Sequence, residues 1–372
     1  MMAVAGAVGR RQVIIRCDSI PYAFRNVQFK KVANWLRVEA SVRIRPLAPW
    51  GLPTHLQIEP TNTCNLRCKL CPVSGEMHRP AGFMDFALYK RLLDEIGSYV
   101  FLMLFWDWGE PFMHPSAFEM IADAHRRGIQ VVSSTNGHLF ADPRRADDVI
   151  KCGLDTLIFA IDGLSQNTYE KYRGSGDLER ALQGIRTVVE RKKALRSATP
   201  LINFRFIVMK HNEHEVDRLQ LFVRKLGADA LTLKTLNPRA NNTYGNRTSG
   251  IEHEEDSLLP LSPSYRRFFY DESGKPVRLK RNPCRNPWNA VTVHWNGRVC
   301  PCTYDYDDQF VLGDLKNNSF EKIWKGPEYR AFRDRLRRKD PAHYFCNECS
   351  YAFKGGSCID ETVREAVFFK AQ

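Results

Sequence analysis

Short apolar runs and amphipathic stretches take turns along the chain from Thr54 to Leu236. "THLQIEP" reads as a strand, "FALYKRLLDEIG" as a helix, "YVFLMLFW" as a buried strand and "SAFEMIADAHRRG" as a helix. "IQVVSST", "LDTLIFAID", "LINFRFIVM" and "ALTLKTL" supply four further strands. Helices lie between them at "PRRADDVIKCG", at Asp177 to Arg196 and at "EVDRLQLFVRKLG". Short apolar strands alternating with glycine-closed amphipathic helices indicate a parallel β/α architecture. Six strands are too few to close an eight-stranded barrel. The predicted fold is therefore α/β: a partial (β/α)6 TIM-like barrel over residues 53–236, followed by a small cysteine-rich module.

The flanks read differently. Residues 1–52 form a basic lead-in, with a short amphipathic helix predicted to carry Phe29, Val32, Trp35 and Leu36 on one face. Residues 237–283 begin with a polar stretch rich in Asn, Ser and Pro, which reads as a linker or a long loop. Residues 284–372 hold six of the eleven cysteines. No internal repeat is present.

Hydrophobic content of 43% and charged content of 26% are ordinary for a globular protein. The net charge of +13 is not, and predicts attraction to an anionic substrate or partner. The start "MMAVAGAVGRR" places its arginines after a short apolar run, the reverse of a secretory signal. The longest apolar run, Tyr99 to Trp106, is far short of the ~20 residues of a membrane-spanning helix. The expectation is a cytoplasmic protein with no transmembrane segment. There, many cysteines argue for metal or redox chemistry rather than a disulfide framework. The Asn241 and Asn246 glycosylation-like triplets are then chance matches, and Cys17 and Cys152 are read as ordinary buried thiols.

The stretch "CNLRCKLC" sets Cys64, Cys68 and Cys71 on one loop after the first predicted barrel strand. Closed zinc sites take four ligands, and [4Fe–4S] clusters normally take four thiolates. Three thiolates leave one iron open, at the strand end where α/β barrels place their catalytic groups. The competing reading is a structural metal loop that borrows a fourth ligand elsewhere.

The C-x3-C-x2-C spacing resembles the signature of radical S-adenosylmethionine (SAM) enzymes. "WGEPFMHP", with Gly109, Glu110 and Pro111, is similar to the family motif that holds the amino group of the cofactor's methionine. "STNG", with Ser134 and Asn136, and "AIDG", with Asp162, resemble family loops lining the cofactor. The resemblance implies that the open iron chelates the methionine amino and carboxylate groups. Reductive cleavage then gives a 5′-deoxyadenosyl radical that removes hydrogen from an unactivated carbon, with the protein supplying binding and orientation. Two positions depart from the pattern. Leu70 stands where an aromatic residue is frequent, and is expected to press on the adenine. Ala160 stands where a serine is frequent.

Cys284, Cys302, Cys346 and Cys349, with the Asn296-Gly297 turn of "NGRVCPC", are similar to the C-terminal extension called SPASM, or its shorter twitch form. That likeness implies one auxiliary [4Fe–4S] cluster on these four thiols, with Cys300 and Cys358 as alternates. A zinc ribbon on the same four residues is the competing reading. An all-thiolate auxiliary cluster cannot bind substrate but can accept an electron. Asp305, close to Cys302, is a candidate proton acceptor; a turn aspartate is the competing reading.

The combined expectation is a radical SAM oxidoreductase acting on a small sugar-like or nucleotide-linked molecule. The alternatives are a peptide or protein maturase and, from another class, a non-catalytic metal-binding protein associated with nucleic acid. No nucleic-acid module appears, so no nucleic-acid partner is expected. Arg330, Arg333, Arg335, Arg337, Arg338 and Lys339 on one helix suggest a face for an anionic partner, including an electron donor such as flavodoxin or ferredoxin.

Overall fold

Buried strands flanked by amphipathic helices can satisfy both faces of a sheet only by layering, and the chain does so around one extended sheet. The computed structural model describes residues 12–17, 19–25, 27–75, 77–237, 258–273, 275–280, 282–340, 344–355 and 363–369. Cys358, Asn241, Asn246 and most of the polar stretch after Leu236 lie outside them.

The six expected barrel strands are present: β3 (His55–Ile58), β4 (Leu102–Phe105), β5 (Gln130–Thr135), β6 (Thr156–Ala160), β7 (Leu201–Val208) and β8 (Ala230–Thr235). They lie in sequence order and pair in parallel. The helices between them are α2 (Phe86–Ile96), α3 (Ala117–Arg126), α4 (Pro143–Lys151), α5 (Gln166–Arg173), α6 (Leu178–Ala194) and α7 (Val216–Leu226). Aspartates begin three of these helices: Asp85, Asp142 and Asp177 each accept a backbone N–H of the first turn.

The C-terminal module continues the same sheet. Its first strand, β9 (Ala290–Val293), pairs in parallel with β3, and β10 (Arg298–Cys300) and β11 (Gly313–Asp314) extend that edge. β12 (Val363–Phe368) adds antiparallel to β8 at the other edge. Strand alternation divides the sheet into two faces. Met103, Phe105, Val131, Leu157, Phe159, Phe204 and Phe206 join the main apolar core, which includes residues of the flanking helices. Leu102, Leu104, Val132 and Ile158 belong to a separate cluster on the inner face.

That inner cluster is completed by the N-terminal segment, which is more than a basic lead-in. β1 (Gln12–Cys17) and β2 (Ile20–Arg25) form an antiparallel hairpin. Ile15, Cys17, Ile20, Tyr22 and Phe24 share its buried face and pack on the inner wall. Phe24 meets Phe101 edge-on at 5.0 Å, and the Tyr22 hydroxyl donates to Thr156 Oγ1 at 3.0 Å.

Helix α1 (Phe29–Ile44) forms where a helix was expected but turns the other way. Phe29 is 86% exposed and Leu36 58% exposed, while Lys31, Asn34, Val38, Ser41 and Val42 are buried. The reason is hydrogen bonding. Lys31 Nζ donates to Gly128 O, Asn34 exchanges two bonds with the Leu52 backbone, and Ser41 Oγ accepts from Trp50 N. A face that meets loop backbone needs polar residues, whatever the apolar spacing suggests. Among the described residues, no helix is long and apolar enough to cross a membrane.

The hairpin's contribution is measurable. Phe24→Ala removes a buried ring and its edge-on partner, so a loss of about 3–5 kcal/mol is expected. Denaturant titration of the folded protein checks this, with the solvent-facing Phe29→Ala as the comparison expected to cost under about 0.5 kcal/mol.

Candidate active site

The loop after β3 carries the three clustered thiols. Cys68 is buried, and Cys64 and Cys71 are partly buried. Burial pushes the Cys64 thiol up to about 11, with the Glu110 charge next in effect. Burial and the neighbouring Cys68 push Cys71 up to about 12. Thiols this close raise one another's cost of ionisation, so as a set of thiolates they call for a cationic centre. Two donors already face the sulfurs: Asn136 Nδ2 lies 3.9 Å from Cys64 Sγ, and Arg173 Nη1 lies 3.8 Å from Cys68 Sγ.

The loop after β4 locks onto this one. Gly109 has φ +97°, and a Cβ there would lie 2.6 Å from Thr61 O and 2.7 Å from Thr63 O, so only glycine fits. Glu110 N donates to Thr63 O at 2.8 Å. The Glu110 side chain is 2% exposed. Its Oε2 accepts from Asn136 N at 2.8 Å and its Oε1 from Phe112 N at 3.5 Å. Burial pushes its carboxyl up to about 7, against the pull of these donors and of Arg173. Pro111 opens the short turn that follows. Asn136, at the end of β5, also donates to Asn65 Oδ1 at 2.8 Å, and Ser134 shares the inner face of that strand with Val132.

Leu70 has φ +57° and packs with Met209, Leu236, Leu258, Ile207 and Tyr172 near the ends of β7 and β8. Asp162 is fully buried. Its Oδ1 accepts from Ile207 N at 2.7 Å and its Oδ2 pairs with Arg173 Nη2 at 2.5 Å. Its carboxylate is therefore committed to strand β7 and to Arg173, and it reaches the thiols through that arginine. Burial opposes the Arg173 charge, but Asp162, Cys68, Tyr169 and Tyr172 outweigh it and hold the guanidinium firmly protonated. The sequence reading missed Arg173. Its signal was a basic residue ending a helix right after the "AIDG" loop and followed by a glycine, Gly174, where a Cβ would fall 2.3 Å from Arg67 O.

In the C-terminal module, Cys284, Cys346 and Cys349 lie within electrostatic range of one another, and burial pushes Cys346 well above the usual thiol range. Asn282 organises them: its Nδ2 donates to Cys346 O at 2.7 Å and to Cys349 Sγ at 3.3 Å, and its Oδ1 accepts from Cys284 N at 2.9 Å. Cys302 lies just past β10, half-buried against the core. Cys300, one of the alternates, turns elsewhere: its Sγ lies 3.5 Å from His294 Nδ1 and from Asp308 Oδ1. The thiol-rich, partly charge-compensated pockets fit iron–sulfur clusters at both places, and the buried Glu110 carboxylate fits the ammonium group of SAM.

Two further residues named from the sequence are buried. Asp305 is fully buried, and its carboxylate oxygens accept from Gln309 N at 2.8 Å and Phe310 N at 2.9 Å. These bonds brace a turn. Arg333 is not on the basic face of α8 (Pro327–Arg338). It is fully buried, donates to Pro287 O, Leu47 O and Trp324 O, and stacks over Trp324 and Tyr329. Burial brings its pKa down to about 9.

Comparison with known proteins matches these two regions separately. Residues 58–223 match the model of the radical SAM superfamily, and residues 284–350 match that of the SPASM iron–sulfur cluster-binding domain. The chain is 25% identical over 319 residues to a tungsten-containing aldehyde ferredoxin oxidoreductase cofactor-modifying protein of Pyrococcus furiosus, covering 80% of this chain and 87% of that one. It is 25% identical over 338 residues to an AdoMet-dependent heme synthase of Nitratidesulfovibrio vulgaris, covering 83% and 88%. It is also 22% identical to a PqqA peptide cyclase of Gluconobacter oxydans, covering 80% and 82%. Among solved structures, Streptococcus suis SuiB bound to its precursor peptide SuiA shares the fold with a TM-score of 0.55 at 14% identity, over 84% of this chain and 75% of that one. Native anSMEcpe with bound AdoMet does so at 0.52 and 14%, over 82% and 94%. The chain is an enzyme of the radical SAM superfamily, with SAM and [4Fe–4S] clusters as its cofactors and a SPASM-type extension for an auxiliary cluster.

Proposed function

We propose that this enzyme is an oxidoreductase whose substrate is a small anionic molecule of the sugar-like or nucleotide-linked kind. Bound together, the three-cysteine cluster and SAM supply the hydrogen-abstracting radical, and the auxiliary cluster supplies a place for the substrate's electron. Cys64, Cys68 and Cys71 would hold the first cluster, and Cys284, Cys302, Cys346 and Cys349 the second. Glu110 would receive the ammonium of SAM, with Gly109, Pro111, Ser134, Asn136 and Leu70 shaping its cradle. Arg173 offers positive charge beside the thiols.

The observation that supports the substrate class is the chain's net charge of +13, which favours an anionic substrate; two of its cations, Arg205 and Lys234, line the inner wall. They lie on neighbouring strands β7 and β8, whose registered partners are Arg205 with Thr232 and Ile207 with Lys234. Their sequence neighbours Phe204, Phe206, Leu231 and Leu233 face the helices, so both cations point to the inner side. They are only 8% and 5% exposed, and the Arg205 guanidinium lies 5.8 Å from the Trp106 ring. The hairpin on the same wall limits depth, which favours a small reacting group. Maturation of a peptide is the second reading, supported by the likeness to a peptide cyclase. The exposed Arg330, Arg335, Arg337 and Arg338 of α8 would suit an acidic electron donor.

Reduced enzyme incubated with SAM and size-fractionated, deuterated metabolite extracts should place deuterium in 5′-deoxyadenosine from the small anionic fraction. Labelling from peptide fractions alone would establish the second reading instead.

Anaerobically reconstituted protein should hold about eight iron and eight sulfide per chain. The triple variant Cys64→Ala, Cys68→Ala, Cys71→Ala should keep about half. None left in the triple variant would remove the auxiliary assignment.

Glu110→Gln should weaken SAM binding by about tenfold to a hundredfold, the equivalent of a charged hydrogen bond of about 1.5–3 kcal/mol, with cluster absorbance intact. The pH sign follows from the raised carboxyl. Above about 7 the carboxylate is present and receives the ammonium; as pH falls through about 7 it protonates and affinity drops. Titration calorimetry from pH 8 to 6 should show this loss in the parent and a flat profile in Glu110→Gln. Unchanged affinity with a lowered melting temperature would make Glu110 a purely structural residue.

A further inference from the structure

Glu59, Asp107 and His294 are the residues at or just beyond the C-terminal ends of three adjacent parallel strands, β3, β4 and β9. The register aligns them: Ile58 pairs with both Val293 and Phe105, and Glu59 N donates to Val293 O at 2.9 Å. Their side chains are fully buried. One ligand atom from each lies within 4.8 Å of the other two.

Two atoms in this group have no hydrogen-bond partner among the described residues: His294 Nε2 and Asp107 Oδ2. They face one another at 3.5 Å. For nitrogen and oxygen donors about 2.0–2.2 Å from a common ion, a tetrahedral edge is about 3.3–3.6 Å. The rest of each side chain is anchored. His294 Nδ1 lies 2.5 Å from Asp308 Oδ1, the carboxylate–histidine pairing that orients a ligating imidazole. Asp107 Oδ1 accepts from Gln57 Nε2 at 3.1 Å and from Thr303 Oγ1. Glu59 accepts from Arg79 on both oxygens and from Trp295 N on Oε1 at 3.4 Å, which leaves Oε2 its second lone pair. The surroundings favour positive charge at the ring: burial works against it, but Cys300, Glu59, Asp107 and Asp308 outweigh burial and push His294 upward.

The geometry points to a mononuclear site for a divalent first-row metal cation on Glu59, Asp107 and His294, separate from both groups of cluster thiols. Asp308 acts from behind as a positioning residue. The inference does not depend on the substrate reading. The charge that could replace the ion is a second proton on His294, giving an imidazolium between Asp107 and Asp308, and the experiment separates the two.

Mn²⁺ is the probe, because it prefers carboxylate oxygen over thiolate. Reconstituted, chelator-washed protein is titrated with Mn²⁺ while the free ion is followed by its EPR signal. One ion should bind per chain, and pulsed EPR of the bound ion should show coupling to one imidazole nitrogen. Asp107→Asn and His294→Gln should weaken binding at least tenfold, and Asp308→Asn about tenfold to a hundredfold. Iron and sulfide content serves as the control for correct folding. Absence of tight Mn²⁺ binding in the parent, or a bound ion without nitrogen coupling, overturns the site and leaves the imidazolium. So does unchanged binding in Asp107→Asn. The two parent measurements decide the matter even if a variant fails to fold.

Discussion

The Glu110 carboxylate holds the mouth of the barrel together. Its backbone N–H is bonded to the cysteine loop at Thr63, and its side chain accepts the N–H of Asn136 at the end of β5. Asn136 in turn donates to Asn65 within the cysteine loop. Three strand ends are thereby fixed relative to one another by a residue whose own charge is costly to bury. The arrangement is tolerable because backbone donors reduce the cost and because the carboxyl remains near its neutral point. A site that must receive an ammonium group benefits from such a poised acceptor, since the arriving cation completes an existing set of bonds and requires little rearrangement.

The barrel strands were legible because each is a short, nearly continuous apolar run, as expected for strands covered on both sides. The cysteine spacing and "WGEP" were legible because their chemistry needs particular residues close together in sequence. The hairpin was not. Its alternation is present in Ile15 and Cys17, then Ile20, Tyr22 and Phe24, but its turn carries no Asn-Gly or Asp-Gly signal and instead places Ser19 at φ +64°. The face of α1 was misread because its partners are loop carbonyls and amides, which leave no mark in hydrophobic spacing. Arg333 shows the same limit in reverse. A run of arginines suggests a solvated face, yet one of them is drawn inward to three backbone carbonyls and two aromatic rings.

Continuity of the sheet changes the meaning of the C-terminal module. Because β9 pairs with β3, the strand that precedes the cysteine loop is flanked on one side by β4 and on the other by the segment leading to Cys300 and Cys302. Arg45 adds a second tie, donating to Asn282 O and Cys284 O while its guanidinium lies 5.0 Å from the Trp288 ring. Backbone pairing of this kind fixes the distance between the two thiol groups far better than a flexible linker would. Under the proposed function, a fixed distance would serve the passage of an electron from a substrate near one group to the other.

The polar interior also has a cost that limits how the site can have been built. Arg79 with Glu59, Arg173 with Asp162, and His294 with Asp308 each bury charge or strongly polar groups, and breaking such a pair by removing one member is typically far more damaging than replacing both. Each also joins different stretches of chain: Arg79 reaches β3, Arg173 ties α5 to the end of β6, and His294 links β9 to the turn after Cys302. Apolar packing could have supplied equal stability at these places, but it cannot hold a thiolate, a carboxylate and an imidazole in fixed orientation at the same time. The charged pairs are best understood as the framework that keeps the barrel mouth in one geometry before any cofactor or substrate arrives, at the expense of stability an apolar mouth would have had.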